Sequence, residues 1–305
     1  MTFSRVLWAG MRPRFLRHAT IAATTALALV ALALLRPWPG TSSLADGLLF
    51  LALATLMYQT YVVAVMVGML FSVSTELRRK TAHVLGGCVL LLAARMTSSN
   101  AVVLALCALL LGWLVATRTL PSLKMYRKLS VDRRDGSESW GDLWFPVGLG
   151  AVTVLFGAQS AAWLAAALVL TLADSAAAVI GTRFPGAVFS IAGGTKSFGG
   201  SCACWIIAGG SIALVEWMTG SPWSWVACAG LAAIVMGLEA ISPRGLDNLS
   251  LPLGTAVGVH WIGSVPVLAW IVAVLAGLLV LAGLAVRKKS VPGKFQTEES
   301  GFQTK

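Results

Sequence analysis

The chain has 305 residues, 57% of them hydrophobic and only 11% charged, where a soluble domain carries about a quarter. That is too little charge to cover a water-facing surface of this size, so a soluble globular fold is excluded and lipid must be the solvent. The net charge of +11 marks loops on one side of a bilayer and attracts anionic headgroups, and no nucleic-acid partner is expected.

In chain order, residues 1–18 read as a basic cytoplasmic arm, retained because no small-residue cleavage site follows the first apolar run. Runs able to cross the hydrocarbon as helices lie near 19–35, 47–71, 82–96, 99–117, 144–158, 160–181, 201–219 and 223–241. The stretch 251–286 is too long for one crossing and is expected to break at Gly263 and Pro266. The expectation is an all-α polytopic membrane bundle of about ten transmembrane helices with both termini cytoplasmic. It divides into the arm, N-terminal transmembrane helices at 19–73, a catalytic membrane domain at 74–262, a last transmembrane helix at 263–286 and a disordered polar tail at 287–305. With ten crossings, only Arg36 and Arg95 among the basic residues fall outside, as the positive-inside rule demands.

The chain has twelve acids, and Asp174 is the unusual one because it sits inside an apolar helix. At 1.5 Å per residue it lies roughly 10 Å from the helix end. A carboxylate at such depth costs up to about 3 kcal/mol, which implies a partner, a metal ion or a wet cavity. Thr171, Asp174, Ser175 and Ala178 share one helix face. Glu239 at the end of its helix and Asp247-Asn248 at the start of the next are expected at the same depth, after the Ser242-Pro243-Arg244-Gly245 break. Arg79, Lys80 and His83 stand at helical spacing on one face. Carboxylates beside cations at a membrane boundary suit phosphoryl chemistry, in which Mg²⁺ takes one or two carboxylates and cations neutralise the transferred group.

Gly193 to Ser201 is rich in glycine and contains Lys196 and Ser197, the ingredients of a phosphate cradle ahead of a helix N-terminus. It is not a Walker A loop, since Thr195 separates Lys196 from the last preceding glycine and the flanks are apolar helices. Lys124, Arg127 and Lys128 read as a basic interfacial face, and Asp132 to Ser139 as a solvated loop. Cys88, Cys107, Cys202, Cys204 and Cys228 read as small packing residues. His18 and His260 lack metal-ligand spacing.

Five segments together resemble a known family. Glu76-Leu-Arg-Arg-Lys80-Thr-Ala-His83 is similar to the Glu-x-x-Arg-Lys-x-x-His segment of the CTP-dependent phytol, dolichol and diacylglycerol kinases. Trp140-Gly-Asp-Leu-Trp-Phe-Pro146-Val-Gly148 resembles their Tyr-Gly-x-x-x-Phe-Pro-x-Gly stretch. The run from Asp174 through Gly181 to Arg183-Phe184, the segment Lys196-Ser-Phe-Gly-Gly-Ser201, and Glu239 followed by Asp247-Asn248 and Pro252 match the remaining three in order. Pro185 before Gly186, and Gly199 where many members have Glu or Ala, depart from the pattern.

The resemblance implies a kinase of a phosphatidate cytidylyltransferase-like membrane fold, in a bacterial cytoplasmic membrane with its site on the cytoplasmic side. CTP or another nucleoside triphosphate would be the donor and Mg²⁺ the cofactor. The acceptor would be a membrane alcohol: phytol, farnesol, polyprenol, dolichol or diacylglycerol. It assigns Asp174 and Asp247 to Mg²⁺ or acceptor activation, with Glu239 a further metal ligand. Lys196, Arg79, Lys80 and Arg183 would meet phosphates, and Ser197, Gly199, Gly200 and Ser201 would cradle them. Asn248 would orient a phosphate or metal-bound water, and His83 would bind phosphate or act as base. Two rival readings are a CTP:phosphatidate cytidylyltransferase, whose Lys-Asp and Pro-Gly-His-Gly-Gly clusters are absent here, and an ion-coupled transporter, which needs charges through the whole membrane depth.

Overall fold

A computed structural model describes residues 20, 43–70, 74–120, 140–191, 194–221, 223–243 and 245–286. The basic arm, most of the first apolar run, the 121–139 segment with Lys124, Arg127, Lys128 and Asp132, Gly193, Arg244 and the polar tail lie outside the described residues.

Nine helices are described: α1 (Ser43–Leu70), α2 (Thr75–Met96), α3 (Asn100–Thr119), α4 (Gly141–Phe156), α5 (Ala161–Arg183), α6 (Phe198–Thr219), α7 (Trp225–Ile241), α8 (Asp247–Trp261) and α9 (Val267–Val286). Five of them, α1, α3, α5, α6 and α9, are long and apolar enough to cross a membrane, while α4 and α7 are shorter apolar helices. The long last stretch does break between α8 and α9 around Gly263 and Pro266. Serine starts many of these helices for a local reason. Ser74, Ser99, Ser160, Ser197 and Ser224 each turn a side-chain oxygen onto an N–H in the first turn, meeting a donor that has no partner inside the helix.

One element corrects the all-α expectation. Val188–Ile191 (β1) and Gly194–Ser197 (β2) pair antiparallel, with Val188 opposite Ser197 and Ile191 opposite Gly194. The segment expected to be a glycine-rich loop is therefore half of a hairpin. Helix α6 then starts at Phe198, with Ser197 as its cap, rather than near Ser201.

Helix α5 is the axis of the bundle. Of its membrane-length window 61% is buried inside the protein, against 17% for α9, which lies at the periphery. It packs against α2, α4, α6 and α8. Lipid tails are as apolar as leucine, so close van der Waals approach between helices rather than solvent exclusion holds such a bundle together. The sequence of α5 supplies that approach: Ala162, Ala165, Ala166, Ala167, Ala173 and Ala177 are all buried. Trp163, fully buried, fills the space at the α5 start and donates its indole N–H to Thr153 Oγ1 of α4 at 2.8 Å.

A close approach to α5 comes from α2. A Cβ on Gly87 would collide with the Thr171 side chain, including its Cβ at 2.9 Å. Gly87→Val is therefore expected to force α2 and α5 apart. Overpacking of this kind costs about 1–3 kcal/mol, and a lowered thermal midpoint of the detergent-solubilised protein checks it; an unchanged midpoint would show that the crossing relaxes freely.

Candidate active site

Charged side chains from α2, α5, β2, α7 and α8 gather at one end of this apolar bundle. Lys80 forms an ion pair with Asp174 across 94 positions of sequence, and both side chains are 4% exposed. His83, one turn along α2, places Nε2 3.5 Å from the same Asp174 carboxylate and 2.9 Å from the Leu170 carbonyl. A carbonyl only accepts, so Nε2 carries the proton and donates to Leu170. Arg79 is held by two hydrogen bonds to Glu76, at 2.7 and 3.3 Å.

The backbone of α5 is modified where these contacts form. Val169–Ala173 is a π-turn, and the Asp174 N–H reaches back five residues to the Val169 carbonyl. Such single wide turns concentrate at functional sites. Here the widened turn carries the Leu170 carbonyl that His83 uses and immediately precedes Asp174. Thr171 and Ser175 hydroxyls, on the same stripe, are buried without a hydrogen-bond partner.

A second cluster lies beside the first. Lys196, on β2, donates to Glu239 Oε1 at 2.5 Å and to Asp247 Oδ2 at 3.3 Å. Burial pulls the Lys196 ammonium down, but the Asp247 and Glu239 carboxylates outweigh it and hold its pKa above the ordinary lysine value of 10.5. Asp174 also contributes to the field at Lys196, and Asp174 and Asp247 both contribute at Arg79. The two clusters are thus one electrostatic unit.

Asn248 follows Asp247 at the start of α8 and is 1% exposed. Its Nδ2 donates to the Gly141 carbonyl at 2.5 Å, which fixes the amide orientation and leaves Oδ1 buried without a partner. Gly148 makes the α4–α8 contact possible, since a Cβ there would sit 2.5 Å from the Asn248 carbonyl oxygen and 2.9 Å from Pro252 Cγ. The second sequence motif, with its glycines and proline, is accordingly a packing device that seats the Asp247-Asn248 turn.

The expected cradle takes a different form. Phe198 N–H donates to the Ala187 carbonyl at 2.8 Å, Gly199 N–H to Pro185 at 3.0 Å and Gly200 N–H to Ser197 Oγ at 3.2 Å. The amides an anion would need are engaged within the chain. Gly199 and Gly200 serve close packing: a Cβ on Gly199 would strike the Phe184 carbonyl oxygen, and one on Gly200 would lie 2.8 Å from the Ala177 carbonyl oxygen. Ser201 is buried with a hydroxyl lacking a partner. Arg183 is exposed at the end of α5 and joins none of the ion pairs among the described residues.

Glu239 and Asp247 converge on one ammonium, so the pair fits the one or two carboxylates that Mg²⁺ takes from a protein when phosphates supply other ligands. Asp174 is directed to Lys80 instead, and no three His, Cys, Asp or Glu residues among those described form a metal-ligating group.

Sequence reasoning passed over Asp142. Its Oδ1 accepts from Arg118 at 2.5 Å and from the Leu143 N–H at 3.1 Å, while Oδ2 is buried without a partner. Asp142, Arg78, Arg79, His83 and Asn248 line an open cavity whose other walls include Met57, Leu110, Leu114 and Phe145. The motif pattern leaves the Asp142 position unspecified, and the sequence spacing of Arg118 and Asp142 offers no sign that they pair.

Comparison with proteins of known activity adds an independent observation. Over 194 residues the chain is 28% identical to a phytol kinase of Synechocystis sp., an alignment covering 62% of this chain and 80% of that protein. The chain resembles the phytol and polyprenol kinase family. No protein-family model and no solved structure matches it. A kinase relative and a bundle with five membrane-length apolar helices point to an integral membrane protein similar to a phytol kinase.

Two outcomes are expected from the ion pairs. Lys80→Met leaves the Asp174 carboxylate buried and unpaired, at a cost of about 3–5 kcal/mol, and the double change Lys80→Met with Asp174→Leu recovers most of it. Thermal midpoints of the three proteins check this, and a double variant no more stable than the worse single one would refute it. A raised lysine pKa gives stabilisation that is complete below the unfolded value and lost only as pH rises through the folded one, above 10.5. The midpoint difference between the wild type and Lys196→Met should therefore show no lysine titration between about pH 7 and 9.

Proposed function

We propose that the chain is a CTP-dependent kinase that transfers the γ-phosphate of CTP, or of another nucleoside triphosphate, to the hydroxyl of a membrane isoprenoid alcohol such as phytol, farnesol or a polyprenol; diacylglycerol and dolichol are the other acceptors to test. The observation that carries the reading is a buried layer of paired charges bordering an apolar-walled cavity within a membrane bundle. Its similarity to a phytol kinase supports the same conclusion. The full chain crosses the bilayer about ten times with both termini cytoplasmic, and the charged layer faces the cytoplasm of a bacterial inner membrane, where nucleotide is available.

Reaction proceeds by exchange of partners. The triphosphate enters beside Lys196 and Arg79, whose positive charge offsets that on the phosphate oxygens. Lys196 turns to phosphate, and Glu239 and Asp247, which it leaves, would hold Mg²⁺; that ion would supply neutralisation of charge on the transferred group. Asp174 keeps Lys80 and His83 in place beneath the reacting atoms. The alcohol oxygen bonds to the γ-phosphorus, the bond from that phosphorus to the β,γ-bridging oxygen breaks with its electron pair leaving on the nucleoside diphosphate, and the hydroxyl proton passes to a carboxylate.

Lipid-reconstituted protein is expected to move label from γ-labelled CTP to at least one of phytol, farnesol, a polyprenol or diacylglycerol, with ATP as a parallel donor. Transfer should stop when Mg²⁺ is chelated, and Lys196→Met and Asp247→Asn should each lower kcat by about 10²–10³-fold. Release of pyrophosphate with a CDP-lipid product would establish the cytidylyltransferase chemistry instead.

A further inference from the structure

Arg79 and Lys80 are neighbours in sequence but are held differently. The Lys80 ammonium is buried against Asp174, whereas the Arg79 side chain is 17% exposed and lies on the wall of the open cavity. Glu76 takes two of the guanidinium nitrogens side-on: Nη2 donates to Oε1 at 2.7 Å and Nε to Oε2 at 3.3 Å. Two bonds to one carboxylate fix the plane of a guanidinium as well as its position. The third nitrogen, Nη1, donates to no group among the described residues and is not cut off from solvent. It stands at the Gly141–Asn248 contact, where a Cβ on Gly141 would lie 3.4 Å from Nη1 and 3.1 Å from Asn248 Nδ2. Asn248 and Arg78 line the cavity together with Arg79, while Glu76 is not one of its lining residues.

The grip has competitors. Asp174 and Asp247 both act on the Arg79 charge, and arginine has the rotamer freedom of a long side chain. Released from Glu76, the guanidinium would be drawn toward those carboxylates instead of waiting for a ligand. An ordinary i,i+3 ion pair supports a helix turn and does no more. One that commits both carboxylate oxygens to Nε and Nη2 also decides which nitrogen remains.

We propose that Glu76 is a positioning residue: its carboxylate holds Nε and Nη2 of Arg79 so that Nη1 remains for an oxygen of a phosphate group bound at the cavity. Nη1 can only donate, and the adjacent Arg78 adds a second positive charge to the same wall, so the ligand is an anion. That the anion is a phosphate rests on the kinase reading; the aiming of Arg79 does not. Two molecules in that reaction present such a group, the nucleoside triphosphate and the phosphorylated lipid.

The sign of one substitution separates this role from the others open to Glu76. Removing a carboxylate from beside an anion site relieves repulsion, so if Glu76 were only a neighbouring charge, Glu76→Gln would tighten phosphate binding. If it only supported the helix, the same change would move the thermal midpoint and leave binding alone. A positioning role predicts weaker binding in spite of the relieved repulsion.

The test measures equilibrium binding of a non-hydrolysable CTP analogue, and separately of farnesyl phosphate, to the full-length protein in nanodiscs. Glu76→Gln, which keeps the side-chain shape, is expected to raise the Kd of at least one of them about tenfold, the scale of a hydrogen bond to a charged group. In an Arg79→Lys background a lone ammonium cannot be gripped by Glu76 and still offer a second nitrogen, so Glu76→Gln should there cause no further loss. A loss with the CTP analogue identifies the nucleotide's phosphate as the partner of Nη1, and a loss with farnesyl phosphate identifies the lipid's. Failure of the wild type to bind either ligand, unchanged or tighter binding of both by Glu76→Gln, or an equal loss in the Arg79→Lys background would overturn the proposal. The predicted loss in a protein whose wild type transfers phosphate to no alcohol would reject the kinase reading alone, and transfer with binding unchanged by Glu76→Gln would reject the positioning role alone.

Discussion

The buried pairing of Lys80 with Asp174 is the constraint from which the arrangement follows. Neither charge survives alone among apolar helices, since a lone ion there costs several kilocalories per mole. Their union ties the first turns of α2 to the middle of α5 and thereby fixes where Arg79 and His83, on the same helix face, must stand. The π-turn just before Asp174 belongs to the same requirement: it offers the Leu170 carbonyl to His83, so the imidazole is oriented by backbone rather than by a second charged group.

The second cluster is built on different terms. Lys196 comes from a short hairpin, not from a helix, and its two carboxylate partners stand on either side of the turn between α7 and α8. Lys196 is more exposed than Lys80, 17% against 4% for the side chain. A charge that must leave its protein partners to meet a nucleotide has to be less deeply committed than one that only holds the frame. Under the proposed reaction the contrast makes Lys80 the framing residue and Lys196 the exchanging one, although both sit in motifs of the same character.

How much of this the sequence revealed depends on the range of the interaction. Helix positions were legible because apolar length is a local property: the helices capped by Ser99, Ser160 and Ser224 start within a few residues of the runs expected at 99, 160 and 223, whereas α2 starts at Thr75, ahead of the run expected at 82, because its first turns are charged. Asp174, Lys80, Lys196 and Asp247 were legible as unusual charges in an apolar chain, but their pairing spans 94 and 51 positions and no periodicity encodes it. The glycines at 199 and 200 were less legible, since a glycine that opens a backbone to an anion and one that lets two segments touch look identical in sequence. Only the neighbouring carbonyls of Phe184 and Ala177 distinguish them.

Asp142 was hidden for a related reason. An acid near a helix start reads as a solvated, dipole-friendly residue, and most such residues are nothing more. Its significance arises from Arg118, at the end of the preceding described helix, which claims one carboxylate oxygen while the other is buried without a partner.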